Sequence, residues 1–329
     1  MKLRRLSLFV SLISVVYLSN IIAQGRPQHR KPVQHEADKP PAAHNSAELD
    51  LCYSFYVSGE TSKMRFLVLL PRTITDKQQI SIKYSPEPFR VFHKNGNRYA
   101  EFVFTKPKKR FKVKVQIKGK LFRYDLSTAS KNLSKRPSKD RDFEDFLKNE
   151  KYIEKDNAQI QQIAKSIEGT TETDIVKEIY EYVTDNMEYG GYKEDELGAV
   201  KALEQKKGDC SEYAALFVAL CRAKNIPARI VYGYTTDYQD TAKHGWAEAY
   251  LEKYGWVPFD PTRGDVNSRF ERSRRFHTLE PIYIYFGQIR NGQVMGEGHY
   301  YGYWYWGDEI KVKESVEFKQ SARPQPKPN

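Results

Sequence analysis

The spacing of apolar residues changes twice along this chain, and those changes limit what it can fold into. Between residues 48 and 128 the apolar side chains recur at every second position: Leu51, Tyr53, Phe55 and Val57, then Phe111, Val113, Val115 and Ile117. A period of two belongs to half-buried strands. Met64–Leu70 and Gln78–Tyr84 read as further strands, and Lys94-Asn95-Gly96-Asn97 between Phe89–His93 and Arg98–Phe104 is a hairpin turn. Six or seven short strands predict a β-sandwich. From residue 157 the period becomes helical: Ile160, Ile163, Ala164 and Ile167, then Ile175, Ile179, Tyr182 and Val183. Ala199–Gln205 is a short third helix and Ser211–Lys224 a fourth, apolar enough to be buried. Strands return at Ala228–Tyr234, Gly245–Glu252, Trp256–Phe259, Ile282–Phe286 and Tyr300–Trp306. The fold class expected is therefore α+β, an N-terminal β-sandwich over 48–128 and a second domain over 157–318.

The segments outside these domains have other compositions. Lys2, Arg4 and Arg5 precede an apolar stretch from Leu6 to Leu18, with Ala23 placed for cleavage, so residues 1–23 read as a secretory signal peptide. Leu6 to Ala23 is also about the shortest span able to cross a bilayer, but Asn20 and the serines weigh against a retained anchor. Residues 24–47 and 129–156 read as linkers, and 319–329 as a Pro-rich disordered tail. Export outside the cytoplasm is the expectation. Three cysteines in 329 residues exclude a disulfide scaffold. The net charge is +12. In an exported protein that charge points away from nucleic acid and toward an anionic polymer of the cell envelope.

The chemistry concentrates between Gly208 and Asp260. In Gly208-Asp209-Cys210-Ser211-Glu212, Asp209 is a good N-cap and Glu212 completes a capping box. Cys210 then sits in the first turn of the buried helix, where free amides and the helix dipole favour a thiolate. Its own N–H is placed to hold an oxyanion. His244 opens a strand after the polar loop Thr235–Lys243 and is a candidate general base. Asp260 ends the next strand and is a candidate to orient the imidazole. Each residue alone has a plainer reading: a buried inert thiol, an idle surface histidine, a turn-starting aspartate before proline.

Three separated stretches, in order, resemble the transglutaminase-like superfamily: GDCSEYAALFVALCRAKNIPARIVYGY (208–234), HGWAEAYL (244–251) and GWVPFDPT (255–262). Two upstream stretches, 157–169 and 176–189, are similar to the helices preceding the family's cysteine. The resemblance implies a papain-like core with Cys210 as nucleophile, His244 as base and Asp260 as its orienter. Tyr182 stands where many members have Trp. The family includes cross-linking transferases, peptide and glycopeptide hydrolases, and members without activity, so it implies acyl chemistry rather than one substrate.

The expected function is thiol acyl transfer on an amide or peptide bond, with hydrolysis as the outcome and a peptide or protein as substrate. Transfer to an amine, and an inactive binding protein, are the alternatives. The short polar loop 235–243 offers little apolar wall beyond Tyr238 and the neighbouring Trp246, which favours water over an amine. Trp246 and Tyr189 are the expected groove residues, Tyr189 also as a second oxyanion donor. No CxxC or HxxxH spacing and no calcium loop occurs, so neither metal nor cofactor is expected. Cys221 lies about 16 Å along the helix from Cys210 and reads as core. The aromatic run 300–306 reads as sheet core.

Overall fold

A computed structural model describes residues 45–319 apart from 130–143, 194, 239–240, 289–293 and 297–298. The signal-peptide reading of 1–23, nearly all of the linker 24–47, the middle of the linker 129–156 and the tail from 320 lie outside the described residues. The chain is α+β, with antiparallel sheets followed by a helical and mixed region.

The first seven strands are β1 (Asn45–Val57), β2 (Thr61–Leu70), β3 (Gln78–Ser85), β4 (Arg90–Lys94), β5 (Asn97–Thr105), β6 (Arg110–Leu121) and the short β7 (Tyr124–Asp125). Alternation decides their faces. Leu49, Leu51, Tyr53 and Phe55 of β1 are all buried, and the residues between them face outward. Asn95 (φ 50°) and Gly96 (φ 75°) turn the β4–β5 hairpin, two left-handed residues in a row as a tight turn of this kind requires. Two sheets result, and Tyr53 and Phe55 from one meet Phe66 from the other edge to face at 4.9 Å.

The sandwich is closed by the end of the chain. After the core come β15 (Tyr301–Gly307) and β16 (Ile310–Lys319), which pair with β2 and β1 respectively. The sheets are thus β16-β1-β6-β3 and β15-β2-β5-β4. The aromatic run 300–306 is only half core: Tyr301 packs on Tyr53 and Phe66, while Trp306 is half exposed. Strand alternation sends its tryptophans to the outer face, where Arg65 lies over Trp304 and Lys63 over Trp306.

Between these parts lie α1 (Ala158–Ser166), α2 (Glu172–Asn186), β8 (Glu188–Tyr189), α3 (Ala199–Gln205), β9 (Lys207–Gly208) and α4 (Cys210–Ala223). They are followed by β10 (Ala228–Thr235), β11 (Lys243–Leu251), β12 (Gly255–Phe259), the one-turn α5 (Pro261–Gly264), α6 (Arg269–His277), β13 (Thr278–Leu279) and β14 (Tyr283–Gly287). A four-stranded sheet, β12-β11-β10-β14, packs against α4. Helix α4 is buried nearly all round, from Tyr213 to Arg222, as its apolar composition predicts. Arg222, buried in it, donates to the Ala228 and Lys148 carbonyls and pairs with Glu150. In α2 the buried face is Val176, Ile179, Tyr180 and Val183, with Tyr182 only partly covered. No described helix is long and apolar enough to cross a membrane.

Candidate active site

The site is built at the meeting of the α4 N-terminus with the ends of β11 and β12. Asp209 caps α4: its side chain accepts from the Ser211 N–H at 2.7 Å, and Glu212 accepts from the Asp209 N–H at 3.0 Å. This is the capping box expected from sequence, and it has further partners. Asp209 also accepts from the Lys193 N–H, and Glu212 from the Leu197 N–H. Both carboxylates are buried, so they pin the 190s segment against the start of the helix. Gly208 is required here, since a Cβ would overlap the Glu212 side chain.

Cys210 begins α4 and is 8% exposed. Its sulfur accepts from the Gly245 N–H at 3.4 Å. Its N–H is a first-turn amide of α4, one of those with no partner inside the helix. His244, one residue before Gly245, directs Nε2 to Asp260 Oδ2 at 2.7 Å, which leaves Nδ1 for the thiol side. Burial disfavours the charged ring. The Asp260 carboxylate, with its hydrogen bond to the ring, and the nearby Cys210 sulfur outweigh it and push the His244 pKa up to about 10. Structure thus brings Cys210, His244 and Asp260 together, from a helix start and two adjacent strands.

Asp260 performs two tasks at once. It ends β12 and caps α5, accepting from the Arg263 N–H at 3.1 Å through Oδ1. Its Oδ2 accepts from His244 and from the Tyr283 hydroxyl at 2.6 Å. Burial would raise its pKa, but His244, the Arg263 guanidinium and Tyr283 hold it down at about 2. The Tyr180 hydroxyl donates to the Asp260 main-chain carbonyl at 3.2 Å. A cavity of about 350 Å³, lined by Asp237, Arg263 and Arg275 among others, opens beside Asp260.

Tyr283, Arg263 and Tyr180 were not singled out from sequence. Arg263 carried a signal, being third after a strand-ending Asp-Pro, the position whose N–H an N-cap takes. Tyr283 and Tyr180 carried none, because their partners lie 23 and 80 residues away. Tyr180, not Tyr182, is the α2 tyrosine that reaches the site.

The two expected groove residues part company. Tyr189 is 47% exposed on β8, which pairs with Gly208 just before the cysteine. Trp246 is fully buried and lines no open groove. It shares a strand face with His244, and stacks beneath it at 6.1 Å and against Tyr283 and Tyr285. Gly233 must lack a side chain because a Cβ would overlap the Ile284 carbonyl.

Residues 161–261 match the model of the transglutaminase-like superfamily, a span ending just past Asp260. That stretch is a transglutaminase-like region within the chain. An uncharacterized Bacillus subtilis protein, YebA, is 32% identical over 102 residues, covering 27% of this chain and 14% of that protein. A Drosophila melanogaster peptide-N(4)-(N-acetyl-beta-glucosaminyl)asparagine amidase is 37% identical over 67 residues, 20% of this chain and 10% of the amidase. The chain therefore spans a small part of the curated relatives it matches. A solved structure of a candidate cysteine protease from Cytophaga hutchinsonii aligns with a TM-score of 0.57 over 85% of this chain and 92% of that one, at 19% identity. That likeness extends over both the sandwich and the transglutaminase-like core, and it concerns the fold.

Proposed function

We propose that this transglutaminase-like protein is a thiol-dependent acyl-transfer enzyme that hydrolyses an amide bond. The observation that carries the reading is His244, held by Asp260 through Nε2 and turned toward Cys210 with its other nitrogen. His244 takes the thiol proton first, and the Cys210 sulfur then attacks the amide carbonyl. The oxyanion of the tetrahedral intermediate lies against the Cys210 N–H. As the C–N bond breaks, His244 returns the proton to the leaving amine. The acyl group is left as a thioester on Cys210. Water then attacks, giving its proton to His244, and the thioester opens to a carboxylic acid and free thiol. Asp260 stays ionised throughout and steadies the imidazolium.

Amide chemistry agrees with the names of the relatives, an asparagine amidase and a candidate cysteine protease. Hydrolysis rather than transfer rests on the 235–243 loop. Asp237 is tied to Arg263 by two hydrogen bonds of 2.7 and 2.8 Å, and Tyr238 is 39% exposed, so polar groups border the Asp260 side. The signal-peptide-like composition of residues 1–23 supports action outside the cytoplasm, where the substrate would be a peptide or protein of the envelope.

The test is mass spectrometry of Cys210 after acid quenching of mixtures with amide-bearing peptides and glycopeptides. A transient acyl adduct on Cys210, together with the free acid, is expected. A folded protein that forms neither adduct nor product with any amide overturns the reading. A labelled primary amine in excess, incorporated at a rate that saturates, moves the reading to transamidation.

A further inference from the structure

The outer face of the β16-β1-β6-β3 sheet carries a patch of cations, and only the row of Lys83, where Asp50 and Glu317 also stand, holds acids. Register places it without ambiguity. Ser54 lies between Lys112 on one side and Lys313 on the other, and Tyr56 between Arg110 and Lys311. Cys52 is flanked by Lys114 and Ser315, and Lys114 faces Ser85 on β3. Lys83 stands in the next row, opposite Gln116. All six cations are exposed. Same-face residues stand about 7 Å apart along a strand, and next-but-one strands about 10 Å apart. Six charges therefore share one flat surface.

What sets this patch apart is its neighbours. Further along the same face Lys118 pairs with Glu48 at 2.6 Å, and Asp50 takes Lys319 at 3.0 Å and Gln116 at 3.3 Å. On the sandwich's opposite outer face Arg65 and Arg90 both pair with Glu101. In the patch, among the described residues, Lys83, Lys112, Lys114 and Lys313 have no acidic partner. Lys311 has only the rim residue Glu309, at 3.7 Å, and Arg110 lies over the Tyr56 ring. Like charges side by side on a sheet repel. Counter-charges elsewhere on the same sheet show that the strands accommodate acids.

We infer that this face docks an acidic polysaccharide, a linear sugar polymer bearing carboxylate or phosphate groups. The interaction requires a chain of negative charges spaced to meet lysines in rows, and releases the counter-ions both surfaces hold. Ser54 lies between Lys112 and Lys313, and Ser85 and Ser315 stand at the two ends of the Lys114 row, where they offer hydroxyls to sugar hydroxyls. The cations stand on the strands of a four-stranded sheet and not on a helix of the kind that enters a nucleic-acid groove. Tyr56 is the one large exposed apolar group among these cations, and Arg110 covers its ring, so the patch has no apolar face of the size a bilayer takes up. The docking face does not depend on the proposed catalysis and would hold the enzyme on a polymer matrix.

Binding of the full chain to polygalacturonate over about 50 to 200 mM salt tests this. Uncharged dextran, a DNA duplex and anionic phospholipid vesicles are the comparison probes. Polygalacturonate binding that weakens with salt is expected, with little to dextran. Lys112→Ser/Lys114→Ser/Lys313→Ser should lower affinity about ten-fold or more and reduce the salt slope by up to about one per lysine. The matching Lys→Arg variant should retain binding, and Lys118→Ser/Lys319→Ser should change it less than about two-fold, because those lysines are already paired. Thermal melts confirm that the variants fold. Absence of salt-dependent binding, equal losses in the two serine variants, or tighter binding to DNA or vesicles than to polygalacturonate overturns the inference.

Discussion

Strand β11 carries two buried charged clusters four residues apart, and they differ in one respect. At Glu248 the carboxylate is 2% exposed and meets two cations, Lys77 from the loop before β3 and Arg229 from β10. Lys77 also donates to the Trp256 carbonyl at 3.2 Å. Burial opposes the charge, but the two cations hold the Glu248 pKa down at about 2. Both Glu248 oxygens are engaged, and the cluster ties the sandwich to the core. At His244 the carboxylate is equally well held, but the imidazole keeps one nitrogen turned to a thiol. Buried charge therefore does not mark a site on this strand. An ionisable ring with one side fixed and the other facing a nucleophile does.

That comparison is broken most sharply by removing each cluster's carboxylate. Asp260→Asn should lower amide turnover by up to roughly 10⁴-fold, as in a serine triad, with the fold kept. Glu248→Gln should leave turnover per folded molecule unchanged, but cost about 3–5 kcal/mol by leaving two buried cations unpaired. Rates after correction for folded fraction, with urea unfolding of both variants, separate the two. Turnover lost in Glu248→Gln at full folding would erase the distinction.

A smaller effect is expected from His244→Ala, about 10²–10⁴-fold in turnover, the range for removing a general base. Alkylation followed by mass spectrometry sharpens the cysteine assignment. Cys210 should label in the folded protein and Cys221 should not, since Cys221 is fully buried and burial pushes its pKa well up. Equal labelling would place both thiols in the same class.

The pH dependence of stability follows from the signs of the shifts. His244 is raised from 6.5 to about 10, so its pairing stabilises fully below about 6.5 and is lost as pH rises through about 10. Asp260 is lowered from 3.8 to about 2, so the same pairing is present above about 3.8 and lost as pH falls through about 2. The stability gap between wild type and Asp260→Asn should be widest between about pH 4 and 6.5 and narrow on both sides. Glu248, lowered from 4.5 to about 2, supplies an acid limb of the same sign. Chemical unfolding across this range checks it, and a gap that stays constant toward alkaline pH would remove the His–Asp pair as its source.

The smallest effect tests the support of Asp260. Tyr283→Phe removes a hydroxyl bound to the carboxylate and should cost about 1.5–3 kcal/mol, the range for hydrogen bonds to charged groups. Turnover should fall far less than in Asp260→Asn.

Local rules determined a good part of this molecule. Period-two spacing marked β1 and β6, and Asn95-Gly96 set the hairpin between β4 and β5, because backbone sterics act within a few residues. Asp209 and Glu212 placed Cys210 at a helix start for the same reason. The strand β16 escaped notice although Ile310, Val312, Val316 and Phe318 sit at even spacing, and α6, rich in arginine, offered little apolar pattern. Tertiary structure alone decided that β15 and β16 return to close the first sandwich, since strand pairing across some 250 residues leaves no local mark. It also decided that Tyr283 and Arg263 hold Asp260, that Trp246 lies beneath His244 instead of lining a groove, and that Lys112 and Lys313 share one face. Alternation says which side a residue takes, but only register says what stands next to it.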